Sequence, residues 1–293
     1  MNGTRQHNGL IELHFAVLLF GGTALFSKLI PLGALDITLI RAAIAAVVLA
    51  IIVKLSGAQL KLRCSKDYVI ALILGIIVSL HWVTYFKAMQ LSSVAIGIIA
   101  FFTYPVMTVL IEPILNKQSI KMQDVLSGII VLFGVYLLLP EINLSNNITL
   151  GIAFGVLSAA LFTARNLIHK RHFSSYSGSH AMFYQTLVAS LFLYPFHDVT
   201  FSDISPNTWG LFLILGIMFT AFPHALFTSA LRALSAKTVG LVSCLQPFYA
   251  SFLALIVLGE ALSVKTIIGG ALIVATALFE THQSHKKKSK LPS

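Results

Sequence analysis

Charge is scarce in this chain. Of its 293 residues only 10% are Asp, Glu, Lys or Arg, against roughly 25% in an ordinary soluble domain. Too few charges exist to cover a water-facing surface, which excludes a soluble globular enzyme. Disorder is excluded as well, because 57% of the residues are hydrophobic and mean hydropathy is +0.89, and that much apolar surface requires burial. Cysteine is nearly absent, and Cys64 and Cys244 make neither a disulfide framework nor a metal set. Acidic residues number ten against twenty Lys and Arg, giving a net charge of +10. That excess does not point to nucleic acid. The positive residues sit in short breaks between apolar runs and in a tail, as they do where a membrane protein marks its cytoplasmic side. Alternating ten-residue strands are missing, which excludes a β-barrel. The first apolar run lacks a small-residue cleavage pattern and is followed directly by others, so no cleavable signal peptide is expected.

Enzymatic constellations are missing too. No carboxylate pair lies within an apolar run, and there is no His-Glu-x-x-His helix or Gly-x-Ser-x-Gly turn. No Gly-x-x-x-x-Gly-Lys loop is present, so the chain is not expected to hydrolyse a nucleotide. No cofactor is implied.

What the chain has is apolar runs, one after another. They fall at 10–30, 36–55, 68–89, 93–115, 122–139, 149–169, 179–197, 207–229, 238–258 and 264–281. Each is near the twenty residues that cross a bilayer as a helix, and most lack the long polar face of a surface helix. With the N-terminus in the cytoplasm and strict alternation, all Lys and Arg except Lys28, Arg41, Lys87 and Lys265 fall on the cytoplasmic side. Asp36, Glu141, Asp198, Asp203 and Glu260 fall outside. The expected protein is therefore an all-α integral membrane protein of ten transmembrane helices. Both termini are expected in the cytoplasm of a bacterium, with the bilayer being the inner membrane. The Lys-rich tail, 282–293, reads as a retention charge after the last span, with contact to anionic lipid as the less favoured reading.

A shift of 142 residues superimposes Ala88 on Ala230, Ser93 on Ser235, Pro105 on Pro247 and Gly128 on Gly270. An earlier echo, Ala24-Leu25-Phe26 and Ala160-Leu161-Phe162, comes at another offset, as loop-length differences would produce. The chain thus divides into two five-helix halves, 10–140 and 149–281. Five is odd, so the halves enter the membrane from opposite sides. Inverted repeats of this kind are a recurring plan of secondary transporters, whose sites lie between the halves near mid-membrane.

The stretch Ser79-Leu80-His81-Trp82-Val83-Thr84-Tyr85-Phe86-Lys87-Ala88, then Leu91 to Gly97 and Tyr104-Pro105, resembles the EamA family of the drug/metabolite transporter superfamily. The second half repeats the pattern in Ala230-Leu231 to Pro247, Leu258-Gly259-Glu260-Ala261-Leu262-Ser263 and Gly269-Gly270. Arg41, early in the second span, also fits. One departure stands out: the counterpart of the Leu-Gly-Glu turn in the first half is Asn116-Lys117-Gln118. The resemblance implies two inverted repeats around a central cavity lined by the first, third, fourth, sixth, eighth and ninth spans. It also implies movement of small metabolites, often amino acids or related compounds, commonly outward. A non-transporting membrane sensor or assembly factor is the alternative. No second copy is required by the pattern, and a monomer is compatible with it.

Polar side chains inside apolar runs are costly and are expected to face the bundle interior. In the third span His81, Thr84, Tyr85 and Ala88 share one face by the three-and-four spacing. That stripe suits a small polar or zwitterionic solute; a structural bond from His81 to a neighbouring helix is the equal alternative. His224 follows Pro223 in the eighth span, and the 142-residue shift sets it opposite Trp82. Either His81 or His224 is a candidate for carrying a coupling proton. Tyr104-Pro105 and Gln246-Pro247 form a pseudo-symmetric pair. Pro105, Pro223 and Pro247 are read as hinges, because proline removes a backbone donor. The expected solute contacts are His81, Trp82, Tyr85, Tyr104, Asn166, His224 and Gln246. Arg165 is read as snorkelling to the cytoplasmic interface. Lys28, Arg41 and Lys87 lie toward the outer ends of their spans, either as a positive vestibule for carboxylates or as separate snorkelling cations. Gly21-Gly22 and Gly269-Gly270 read as close-packing positions.

Overall fold

Lipid offers the backbone no water to bond, so a spanning segment must pair its own amides and carbonyls, and a helix does so. The structure, a computed structural model, describes residues 2–120, 122–138, 143, 145–224, 226–227 and 242–288, with side chains described from 9 to 279 within those bounds. Among them α1 (Asn2–Thr23) and the short α2 (Phe26–Leu29) form the first span, and α3 (Ala34–Leu55) and α4 (Ser65–Leu91) the next two. The fourth span is split into α5 (Val94–Phe101) and α6 (Tyr104–Leu115), and α7 (Met122–Leu138) is the fifth. The second half holds α8 (Asn147–His172), α9 (Gly178–Leu193), α10 (Pro206–Gly216) with a π-helical turn at Ile217–Ala221, α11 (Gln246–Leu258) and α12 (Val264–Lys288). Six segments are long and apolar enough to cross a membrane: Gly9–Leu29, Ala34–Leu55, Ser65–Leu91, Val94–Leu115, Asn147–His172 and Pro206–His224. Shorter apolar helices at Met122–Leu138, Gln246–Leu258 and Val264–Phe279, together with α9, place helix at each of the ten expected spans. Large apolar side chains such as Val47, Leu132, Leu191 and Ile256 stand exposed around the outside, which is how a chain solvated by lipid is dressed.

Capping residues open several of these helices. Ser93 accepts from the Ile96 amide, Asn146 from those of Ile148 and Thr149, and Ser205 from that of Thr208. Each satisfies amides that the first turn leaves unpaired.

The packing repeats as the sequence does. Helix α3 lies on α9, α7 on α12, α4 on α8 and on α9, α3 on α10, α1 on α11 and on the π-helical turn, and α6 on α8. Exchanging each span with the one five places later turns α3–α9 and α7–α12 into themselves. It turns α4–α8 into the packing of α1 on the π-helical turn, α4–α9 into α3–α10, and α6–α8 into α1–α11. Two bundles with an odd number of spans, exchanged by this operation, are inverted repeats. The α7–α12 crossing is close because it is made of glycines: a Cβ on Gly269 would stand 2.7 Å from the Gly134 carbonyl oxygen.

Local geometry also obeys the 142-residue shift. Helix is interrupted at Phe102–Thr103 and again at Cys244–Leu245, and each restart carries its proline, Pro105 or Pro247, in the first turn. Proline fits there because its missing N–H is one that the first turn leaves unbonded anyway. The expected mid-span kinks are therefore helix restarts. Lys117 (φ 55°) and Gly259 (φ 69°) sit one shift apart in the left-handed region and end the fourth and ninth spans. The backbone keeps the symmetry although lysine is strained where glycine is not.

Two expectations are adjusted. The first span breaks at Ala24–Leu25, whereas its echo Ala160-Leu161-Phe162 lies within unbroken α8. The last helix continues to Lys288, so the tail 282–293 begins as helix. The landmarks Ala230 and Ser235, with Lys121, Glu141, Arg232 and Lys237, lie outside the described residues, as do the tail's side chains.

Candidate functional site

A cavity of about 570 Å³ opens between the two halves. Its wall includes His81, Trp82 and Tyr85 from α4, Tyr104 from α6, Asn166 from α8, His224 after the π-helical turn and Gln246 at the start of α11. All the residues expected at the solute are thus brought together around one space. The six spans expected to line it do so, and α3 and α9 join them through Arg41, Ala181 and Met182.

Aromatic rings form much of the surface. Phe101 stacks on Tyr104 with ring centroids 5.1 Å apart, and Phe162 meets Tyr104 edge-on at 4.9 Å. Tyr85 of α4 and Gln246 of α11 face the same space.

Of the cavity histidines, His81 and His224 are anchored through Nδ1. His81 Nδ1 lies 2.8 Å from Ser158 Oγ and 3.1 Å from the Ser158 carbonyl, and Ser158 Oγ donates back to the His81 carbonyl at 3.0 Å. A carbonyl can only accept, so Nδ1 carries the hydrogen and the two helices exchange bonds. His81 is at once a cavity residue and the structural link between α4 and α8, which joins the two readings left open by its sequence. His224 Nδ1 lies 2.6 Å from the Thr220 carbonyl in its own helix, which makes it the donor too.

Pro223 cannot donate to Phe219, four residues back, and the π-helical turn lies just before it. Side-chain donors meet backbone oxygens here: Thr23 Oγ1 donates to Phe219 at 2.9 Å, Thr220 Oγ1 to Leu215 at 2.8 Å, and His224 to Thr220. A π-helical turn paired in this way is typical of functional sites in membrane helices.

Two arginines were misplaced by sequence. Arg41 does not belong to an outer vestibule. It is only 3% exposed, lines the cavity, and holds its guanidinium 4.1 Å from the Trp82 ring centroid and 5.1 Å from that of Phe86. Among the described residues its Nε and Nη1 have no hydrogen-bond partner. Lys28 instead donates to the Gln90 and Ser92 carbonyls at the end of α4, and Lys87 is exposed, so the three cations serve separate places. Arg165 does not snorkel to the interface. It turns into the cavity wall, where Nε donates to Gln185 Oε1 at 2.8 Å and Nη1 to Asn166 Oδ1 at 2.9 Å. Depth was the available signal: Arg41 lies about two turns, roughly 10 Å, inside its helix, far for a short reach to water.

At one end the cavity reaches Ser174, Tyr176 and Gly178, around the turn between α8 and α9. Tyr176 donates to Asp67 at 2.5 Å and accepts from the Arg63 amide at 2.8 Å, and Lys170 pairs with Glu112 nearby. At the far end Gln90 donates to the Leu32 carbonyl at 2.8 Å, and Glu260 accepts from the Val94 amide at 2.9 Å. Gln118, the counterpart of Glu260, has no carboxylate to offer.

An all-helical bundle of inverted repeats around an aromatic-walled cavity with a few polar side chains defines a multi-pass membrane transporter. The EamA-like transporter family matches residues 7–139 and 149–280, and this chain belongs to that family. It is similar to the uncharacterized transporter YxxF of Bacillus subtilis (strain 168), 26% identical over 94% of this chain and 90% of the relative. It is also similar to an uncharacterized transporter of Clostridium kluyveri, 26% identical over 71% of this chain and 68% of the relative. A further such relative in Archaeoglobus fulgidus is 25% identical over 67% of this chain and 70% of its own length. A solved structure titled "Crystal structure of protein" shares the fold, with a TM-score of 0.64, 18% identity, and coverage of 94% of this chain and 98% of that one.

Proposed function

We propose that this transporter is a secondary carrier moving a small polar metabolite, an amino acid or related compound, out of the cell by alternating access. The single observation that carries the reading is the cavity between the halves, walled by polar side chains from α4, α6, α8 and α11. A scaffold has no need of such a space, and the size suits a metabolite. The outward direction rests on the family resemblance. The bilayer is taken to be a bacterial inner membrane with both termini cytoplasmic, supported by the distribution of Lys and Arg. On that orientation the cavity opens toward the cytoplasm through the α8–α9 turn, while the Glu260–Val94 and Gln90–Leu32 bonds hold the outer end together.

The restarts at Pro105 and Pro247 are the joints about which the halves rock. No catalytic role is assigned to any cavity residue. His224 is the better placed of the two histidines for a coupling proton, because its ring meets Phe20 and Trp82 in the cavity wall while His81 is bound across to α8. Substituting both by Gln removes the pH dependence of flux if one of them carries the proton; an unchanged dependence removes that role.

Purified protein in liposomes, tested against a panel of labelled amino acids and related compounds, checks the function. The expected result is saturable flux. Saturable binding without flux identifies a sensor instead.

A further inference from the structure

The cavity holds a cation that faces no carboxylate among the described residues. Arg41 is 3% exposed, and its Nε and Nη1 meet no acceptor among the described residues. Trp82 and Phe86 lie within cation–π range of it. Rings of this kind attract the charge but give the N–H groups no oxygen to bond. A guanidinium stays charged at physiological pH, and a buried charge without a hydrogen-bonding counterion is costly. Arg165 adds a second guanidinium to the same wall. Among the described residues the lining contains no Asp or Glu, and the sequence of 225–241 adds none, only Arg232 and Lys237. An ammonium group entering this space therefore finds like charge and no carboxylate.

Resting on the carrier reading above, we infer that the transported solute is a net organic anion, with a carboxylate that pairs with Arg41 and an apolar body that lies among Phe101, Tyr104 and Phe162. The rings are offset or edge-on to one another, so they present both faces and edges to a flat apolar body. The carboxylate supplies the acceptors that Arg41 lacks, in charge-assisted bonds stronger than neutral ones. A zwitterion of the same shape brings the carboxylate but must place its ammonium beside two guanidiniums. A free amine brings only the repelled charge. Selection thus runs anion first, zwitterion second, amine last.

Three probes with one body separate these classes: phenylpyruvate, phenylalanine and phenethylamine. Trp82 lies against Arg41, and the chain has only one other tryptophan, Trp209. Trp82 fluorescence in a W209F background therefore reports occupancy of this site in the purified full chain, and flux is read separately in liposomes. Phenylpyruvate is expected to bind at least about tenfold more tightly than phenylalanine, with phenethylamine weaker still. R41Q is expected to lose that preference, and R41K to keep part of it. Equal or reversed ranking in the unmutated site overturns the inference whether or not R41Q folds. So does the absence of saturable binding by all three probes. Anion-selective binding without flux supports the inference and overturns the carrier reading. Flux without anion preference does the reverse.

Discussion

Arg41 and Arg165 face the same cavity and are treated in opposite ways by what surrounds them. Arg165 is met by side chains with lone pairs: Gln185, Asn166 and the Met182 sulfur, the last at 3.1 Å from Nη2. Arg41 is met by rings, and among the described residues its Nε and Nη1 remain unbonded. A cation whose donors are occupied is part of the wall. A cation held by ring faces keeps its edge for whatever enters. The difference teaches that position in the cavity does not define a binding residue; the state of its hydrogen bonds does.

Substitutions break or sharpen this contrast. The largest effect is expected for R41M. Flux of an anionic solute falls at least about tenfold, the loss of a charge-assisted pair, while thermal stability in detergent stays level or rises, because an apolar side chain replaces an uncompensated buried charge. A loss of flux that merely follows a loss of folded protein would erase the distinction between the two arginines. Q185L is expected to act in the opposite sense. It leaves Arg165 short of an acceptor and costs about 2 kcal/mol of stability, read by thermal unfolding. The double variant R165M/Q185L is expected to recover part of that, and an additive double variant would contradict the pairing. S158A tests whether His81 belongs with the satisfied groups. Losing the two hydroxyl bonds between α4 and α8, while the Ser158 carbonyl still accepts from His81, is expected to cost about 1 kcal/mol, in line with interhelical hydrogen bonds in membranes. The smallest change calibrates the scale away from both guanidiniums. K117G gives the strained left-handed turn the residue that its counterpart Gly259 already has. It is expected to add about 0.5–1 kcal/mol with flux unchanged.

Much of the fold was legible because lipid imposes one rule, internal pairing of the backbone, and hydropathy reports where it applies. The restarts at 102–103 and 244–245 were legible through Pro105 and Pro247. The break at Ala24–Leu25 was not, since no proline marks it and Gly21-Gly22 reads equally well as packing. Gly22 is in fact held near Phe219 and Gly21 near Tyr249 and Ala250, where the first span meets the eighth and ninth. The cavity residues of α4 were legible because three-and-four spacing fixes which side chains share a face. Arg165 was not, because a sequence gives depth along a helix and not the neighbours around it. Arg41 reads with Lys28 and Lys87 as a cation near an outer span end, although its place about two turns inside its helix sets it apart. Gln185 shows the same limit: nothing in its spacing marks it as the acceptor that fixes Arg165.

Transport by this chain requires a space between two inverted halves that opens to one side of the membrane at a time. Counterflow tests this most directly. Liposomes carrying the purified chain are loaded with unlabelled phenylpyruvate and diluted into a trace of the labelled compound. Alternating access predicts a transient accumulation of label above its equilibrium level, which decays as the inner pool drains. A monotonic approach to equilibrium that is indifferent to the internal load would contradict it.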